Sequence, residues 1–477
     1  MIPFWVAGEP TAGDETFEVS HPYDGRVVAT VSIPDQAHVE RAVATAHAVT
    51  AQCAALPAYV RADALDHVAR RVRERAGEFA GLIVAESGKP VKWARAEVAR
   101  AASTFAWAAE EARRWSGELQ RLDTERAAAG RIALTRRFPR GPVLGIAPFN
   151  FPLNLVAHKV APAIAVGAPI IVKPAPATPL TALLLGDILA ETELPRGMWS
   201  VLTVPNDRMS SLVADPRLPV VSFTGSGPVG WGIREAVPRK HVTLELGGNA
   251  AAVVCADYSS DRDLDWAADR IATFANYQAG QSCVSVQRVY AERAVYDRLI
   301  ERVVPRVESL GRGDPADERT DVGPLIDVTA AKRVEQWVAE AVAGGATIRT
   351  GGARDGAAYA PTVLANVPGD ARVARDEVFG PVLVVAPVDG IDEAFQAVND
   401  SRFGLQAGIF THDVHTAFRA HRELDVGGVI VGDVPSYRAD QMPYGGVKDS
   451  GVGREGVSAA MTDLTYERVL VLTGVDL

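Results

Sequence analysis

Cysteine is scarce: the 477 residues contain three, Cys53, Cys255 and Cys283, too few and too scattered for a disulfide framework or a cysteine-based zinc site. No metal is expected. Blocks of like charge are missing too. Asp and Glu (59) outnumber Lys and Arg (49), the signs are interspersed, and the net charge is −10, which argues against nucleic acid or an anionic membrane as partner. No apolar run is long enough to cross a bilayer. The most apolar interval, Val160 to Val172, is broken by Pro162, Gly167 and Pro169 and falls short of the ~20 residues a spanning helix needs. At the amino terminus, Met1-Ile2-Pro3-Phe4-Trp5-Val6 has no basic segment leading into an apolar one, so neither a signal nor a transit peptide is expected and the expected compartment is the cytoplasm. Internal repeats are absent, and alanine richness is the one compositional bias.

What remains is an ordinary soluble composition, 48% hydrophobic and 23% charged, on a chain long enough for two or three domains. Short strands and turns are predicted to about residue 34, then helices: one from the cap Asp35 to about Val49, and two longer ones over Ala58–Ser87 and Pro90–Trp115. Ile132-Ala133-Leu134-Thr135 reads as an alternating strand in a polar stretch, with no evident core partner. From Val143 strands and helices alternate: strands at Val143–Ala147, Ile170–Lys173, Val220–Phe223 and Val242–Leu246 are separated by helices at Leu155–Val166, Pro179–Leu189 and Val229–Ala236. A second alternating block runs from a helix at Asp263–Tyr277 to a final strand near Leu464–Leu472. This pattern predicts an α/β protein of two parallel sheets covered by helices, divided just after Leu246.

Several short motifs bear chemistry. Gly225-Ser226-Gly227-Pro228-Val229-Gly230 follows an apolar strand and opens a helix, the context in which glycines let a backbone approach a pyrophosphate at a helix amino terminus. Taken as an ordinary dinucleotide motif, it would assign the acidic residue about twenty positions on, Glu245, to the ribose. Lys173 ends the apolar strand Ile170-Ile171-Val172, and Glu245 ends Val242-Thr243-Leu244 just before Gly247-Gly248. Each is therefore delivered at a carboxyl end of a sheet. Asn150 is held between Phe149 and Phe151 and bounded by Pro148 and Pro152. Cys283 closes the glycine-containing turn Gln278-Ala279-Gly280-Gln281-Ser282. A free cysteine is often a small buried hydrophobe, and Cys53 and Cys255 read that way. As a thiolate in a suitable setting, Cys283 would be a strong nucleophile.

In this order, together with Glu377-Val378-Phe379-Gly380-Pro381 and Pro443-Tyr444-Gly445-Gly446-Val447-Lys448, these motifs span nearly the whole chain and resemble the aldehyde dehydrogenase superfamily. The resemblance is nearest to its lactaldehyde, phosphonoacetaldehyde and non-phosphorylating glyceraldehyde-3-phosphate branch. It implies a Rossmann-like cofactor-binding domain (1–118 and 137–246), an α/β catalytic domain (247–460) and a small β oligomerisation element (119–136 and 461–477), assembled as a homodimer or homotetramer. It also implies roles. Cys283 is the nucleophile, Asn150 an oxyanion donor and Glu245 the proton acceptor. Lys173, also counted among the catalytic residues, and Glu377 contact the ribose, Gly225, Ser226 and Gly230 serve the pyrophosphate, Phe379 lies by the nicotinamide, and Phe149 is a further cofactor contact.

The cofactor is NAD or NADP. Pro176 stands where NAD-preferring relatives usually carry a glutamate, removing an acceptor for the ribose hydroxyls and a charge that would repel a 2′-phosphate. Gly432 replaces a common asparagine, a change that nothing in the sequence explains. Arg100 and Arg438 fall where related enzymes border the aldehyde's tail, so a small polar or anionic aldehyde is the expected substrate. Equally, both arginines could be held in intramolecular salt bridges. A cysteine hydrolase or acyltransferase without redox chemistry is the alternative, but it needs a histidine base, and the nine histidines show no nucleophile–base signature. An inert binding relative would have no reason to keep Cys283, Glu245 and Asn150 together.

Overall fold

Residues 1–474 are described by the structure, a computed structural model. Five parallel strands form the centre of the first sheet: Val143–Ile146, Ile170–Lys173, Trp199–Val201, Val220–Thr224 and His241–Glu245. Across the sheet they run third, second, first, fourth, fifth, the doubly wound arrangement. Their Val- and Ile-rich residues are buried on both faces, as parallel strands covered by helices must be. An antiparallel hairpin, Phe4–Val6 with Glu9–Thr11, closes one edge, and Gly451–Val452 closes the other against Leu244 and Glu245.

The second sheet is ordered Thr347–Thr350, Thr362–Ala365, Val382–Val388, Arg288–Glu292, Ala251–Val254, Gln406–Phe410, Gly428–Val431 and is parallel except at Thr347–Thr350. The chain passes from the carboxyl end of His241–Glu245 through Leu246–Ala250 into the amino end of Ala251–Val254. The carboxyl edge of one sheet therefore faces the amino edge of the other. Val447–Lys448 still pairs with Phe403–Gly404 of the second unit, and from Gly451 the chain returns to the first, where the helix Val457–Asp463 packs on the fully buried helix Asn154–Val166.

Two local expectations change. The predicted helix Ala58–Ser87 is two helices, Ala58–Glu74 and Ala76–Ser87, bent at Arg75 (φ −97°, ψ 20°). No proline announces this corner. It is closed by an Arg75–Glu78 ion pair of 2.8 Å, and the second helix packs against Leu180–Leu189. The orphan strand of the polar stretch finds its partner far along the chain: Arg131–Pro139 pairs through nine residues with Thr465–Thr473, and Glu118–Arg121 pairs on its other side. Val469, Leu470 and Val471 remain exposed there. Among the described residues no helix is long and apolar enough to cross a membrane.

Candidate active site

A cavity of about 740 Å³ opens where the facing edges of the sheets meet, beside the point at which the order of the first sheet reverses, where open α/β folds bind ligands. Asn150, Lys173, Glu245, Cys283, Glu377, Phe149, Phe379, Gly225 and Ser226 all line it.

Three consecutive left-handed residues, Gln278 (φ 53°), Ala279 (φ 55°) and Gly280 (φ 70°), deliver the cysteine. For the two residues with side chains this conformation is strained, and the surroundings hold it in place. Gln278 Nε2 donates to the Asn150 carbonyl, Gln281 Nε2 donates to the Gln278 carbonyl at 3.1 Å, and Gln281 Oε1 accepts the Ile326 N–H at 2.9 Å. At position 280 any side chain would run into the Gly380 carbonyl. Asn150 Nδ2 donates to the Gln281 carbonyl at 3.0 Å, fixing the amide beside the cysteine with its second N–H uncommitted. The N–H of Cys283 makes no hydrogen bond among the described residues. These are the two donors an oxyanion would need.

Cys283 is half-buried, its Sγ 2.9 Å from the Tyr444 hydroxyl. Desolvation pushes its thiol up to about 12, opposed by the Tyr444 hydrogen bond and the Arg438 charge. Glu245 is 3% exposed, and neither of its carboxylate oxygens has a hydrogen-bond partner among the described residues. Burial, reinforced by the charge of Glu455, raises its pKa well above 4.5, while Arg438, Lys159 and Arg454 pull the other way. A carboxyl so placed is close to accepting a proton.

On the cofactor side, the Lys173 ammonium, lowered to about 8 by burial, donates to Asn206 Oδ1 at 2.5 Å. Ser226 stands just before the helix Gly227–Ala236, whose amino terminus opens on the cavity, and its hydroxyl makes no capping bond among the described residues, while the Gly225 N–H donates to the Glu245 carbonyl at 3.1 Å. Glu377 accepts the Gly248 N–H at 3.1 Å, and desolvation raises its carboxyl to about 7. Phe149 and Phe379 meet edge to face at 5.8 Å. Val213, Val229, Ile233 and Val237 continue the wall as an apolar slot. This set fits a nicotinamide dinucleotide: a helix terminus for phosphate, polar groups for ribose and apolar walls for rings.

Three expected contacts lie elsewhere. Gly230 is buried off the cavity wall, where a Cβ would come within 2.5 Å of Leu246 and 3.2 Å of Phe223. Its place is the close packing of helix on strand, the usual task of the third glycine in such a motif. Neither Arg100 nor Arg438 lines the cavity. Arg100, still partly exposed, pairs with Asp440 at 2.9 Å, and the buried Arg438 with Glu455 at 3.2 Å, since a guanidinium at the depth of Arg438 is costly without a carboxylate.

Sequence reasoning missed the shell behind these groups. Glu97 accepts the N–H of Leu153 (2.9 Å) and of Asn154 (3.1 Å), anchoring the start of the helix behind Asn150, and is itself paired with the buried Lys89. Asn206 and Tyr444 were likewise unassigned. All three act through partners remote in sequence, so no local spacing could reveal them.

The sequence profile of the aldehyde dehydrogenase family matches residues 5–470. The 3-sulfolactaldehyde dehydrogenase of Priestia aryabhattai is 42% identical over 469 residues, covering 98% of this chain and 97% of that protein. Among solved structures, aldehyde dehydrogenase 21 of Physcomitrella patens, in complex with the reaction product succinate, superposes with a TM-score of 0.97 at 43% identity over 99% of this chain and 98% of that one. Glyceraldehyde-3-phosphate dehydrogenase GapN of Methanocaldococcus jannaschii, complexed with NADP, gives 0.91 at 34% identity over 97% and 100%.

Proposed function

The chain belongs to the aldehyde dehydrogenase family, and on that premise we propose that Cys283, Asn150 and Glu245 carry its NAD(P)-dependent oxidation of an aldehyde to the carboxylic acid. The observation behind the assignment is convergence: the three side chains come from separate loops and line one cavity with a dinucleotide-sized wall. Cys283 Sγ attacks the aldehyde carbon, and the oxyanion is received by Asn150 Nδ2 and the Cys283 N–H. Bound NAD(P) supplies the two-electron acceptor. Lys173, Ser226 and Glu377 would hold it, and Phe149 and Phe379 would supply an apolar wall for its rings. The thiohemiacetal becomes a thioester, and Glu245 takes a proton from the water that hydrolyses it. A cysteine hydrolase would need a histidine base here, and no histidine lines the cavity. Release of reduced cofactor, read by absorbance across an aldehyde panel, tests the assignment in wild type and in variants of the three residues.

The substrate is a short aldehyde with an anionic tail, carboxylate or sulfonate. Arg100 and Arg438 support this, both within electrostatic reach of the groups around Cys283, as do the sulfolactaldehyde and succinate of the two relatives. Arg100→Ala is expected to lower kcat/KM for an anionic aldehyde by about threefold, because Arg100 is paired with Asp440 and reaches the cavity only through space, and to leave a neutral aldehyde of equal length nearly unchanged. Equal losses on both would remove the anionic tail from the reading.

Among the described residues the cavity wall around Lys173 comprises Ala175, Pro176, Asn206, Met209 and Ser210, with no carboxylate, which suits NADP. Pro176→Glu is expected to cut kcat/KM with NADP at least about tenfold while sparing NAD, because a carboxylate beside a 2′-phosphate is a like-charge contact. Measuring both ratios on one aldehyde checks it. The protein acts in the cytoplasm as a homodimer or homotetramer, assembled through the exposed strand Thr465–Thr473 and its sheet.

A further inference from the structure

The geometry points to Tyr444 as a further member of the catalytic machinery: its hydroxyl donates to the Cys283 thiolate, holding the nucleophilic sulfur in place and favouring its charged form. This rests on Cys283 being the nucleophile. The phenol oxygen lies 2.9 Å from Sγ and has no other hydrogen-bond partner among the described residues. A thiolate can only accept, so in the reactive state the hydroxyl must be the donor. Tyr444 is 4% exposed, and its backbone is pinned, its N–H donating to the Glu455 carbonyl at 2.9 Å and its carbonyl accepting the Glu455 N–H at 2.7 Å, so burial around a fixed main chain restrains the ring. The Arg438 guanidinium sits 3.9 Å from the ring centroid, and a cation on the ring face polarises the O–H toward donation.

The other charged groups facing the sulfur do not replace this contact. Glu377 and Glu245 repel a thiolate, and Arg438 favours it only through space. Tyr277 spends its hydroxyl on Ser282 at 2.9 Å. Burial keeps the Tyr444 phenol from ionising near neutral pH, so it remains a donor throughout the working range. A phenylalanine at 444 would fill the same space and leave the thiolate without a hydrogen bond.

The test is the pH dependence of iodoacetamide alkylation at Cys283 in the full-length protein, followed by peptide mass spectrometry, with buried Cys53 and Cys255 as internal controls and aldehyde oxidation assayed on the same samples. In Tyr444→Phe the midpoint is expected about one pH unit higher than in wild type, the scale of one hydrogen bond to a charged group, with roughly tenfold slower labelling below it. An unchanged midpoint overturns the role of Tyr444 while leaving Cys283 as nucleophile, provided labelling abolishes oxidation. If fully labelled Cys283 still oxidises aldehyde, the assignment of the nucleophile fails and this inference with it. Should Tyr444→Phe not fold, 3-fluorotyrosine at 444, a stronger donor of nearly the same shape, must lower the midpoint, and no change overturns the proposal.

Discussion

Cys283→Ala is expected to lower aldehyde oxidation by at least about 10⁴-fold, the scale on which loss of a covalent nucleophile is felt, while the dissociation constant for NADP stays within about twofold. The two halves of this outcome separate because the sulfur sits on its own turn. Gln278, Ala279 and Gly280 are held in their left-handed conformations by Gln281, the Asn150 carbonyl and Ile326, none of which involves Sγ. The groups proposed to hold the cofactor, Lys173, Ser226 and Glu377, lie on other loops. Removing one sulfur from a half-buried position that borders a cavity leaves little unfilled space, so the variant folds. Calorimetric titration with NADP and a single-turnover assay for reduced cofactor read the two halves. Residual oxidation within tenfold of wild type would place the nucleophile elsewhere.

Glu245→Gln is expected to slow steady-state turnover by about 10²–10⁴, the contribution of a positioned general base, while the first turnover still releases about one equivalent of reduced cofactor. In the proposed mechanism the burst survives, since there Glu245 acts on the hydrolytic water, after the electrons have left the substrate carbon. In wild type the acidic limb of kcat lies above the ordinary carboxylate range, since burial and the Glu455 charge both disfavour the ionised form, and in the variant that limb disappears.

Stability moves in the opposite direction. A carboxyl whose folded pKa is raised favours folding most when protonated. Its contribution is complete below the unfolded value of 4.5 and is lost as pH rises through the folded one. Above that window wild type carries a buried carboxylate with two unpartnered oxygens. A neutral glutamine removes the charge, and Glu245→Gln is expected to be more stable than wild type by on the order of 1–3 kcal/mol at alkaline pH, with little difference near pH 4.5. Thermal melts at the two pH values check this. A variant that is less stable at alkaline pH would mean that Glu245 is held by partners in solution and is not poised as a base.

The residues that converge on the cavity were legible because each sits at a place that local physics marks. Lys173 and Glu245 terminate apolar strands, Asn150 is pinned between prolines, and Cys283 follows a turn requiring glycine at 280. Alternating strands and helices fixed the α/β class for a similar reason: periodicity records which face of each element is buried. Gly230 was misassigned because a glycine motif does not say which of its glycines meets a ligand and which meets a neighbouring side chain. The helix corner at Arg75 and the pairing of Arg131–Pro139 with Thr465–Thr473 were invisible for a related reason: both are decided by distant parts of the chain.

Arg100 and Arg438 mark the boundary between the two kinds of knowledge. The family resemblance put them where related enzymes border the substrate's tail, and left open that both are held in salt bridges. Only the fold could supply Asp440 and Glu455 as their partners, lay Arg438 on the ring of Tyr444 and bring that hydroxyl to Cys283. The chain by itself determined which functional groups exist and at which strand ends they emerge, because those follow from propensities acting over a few residues. The charge state and reach of each group were decided by tertiary structure alone, because desolvation and pairing depend on everything within a few ångströms, whatever its distance along the sequence.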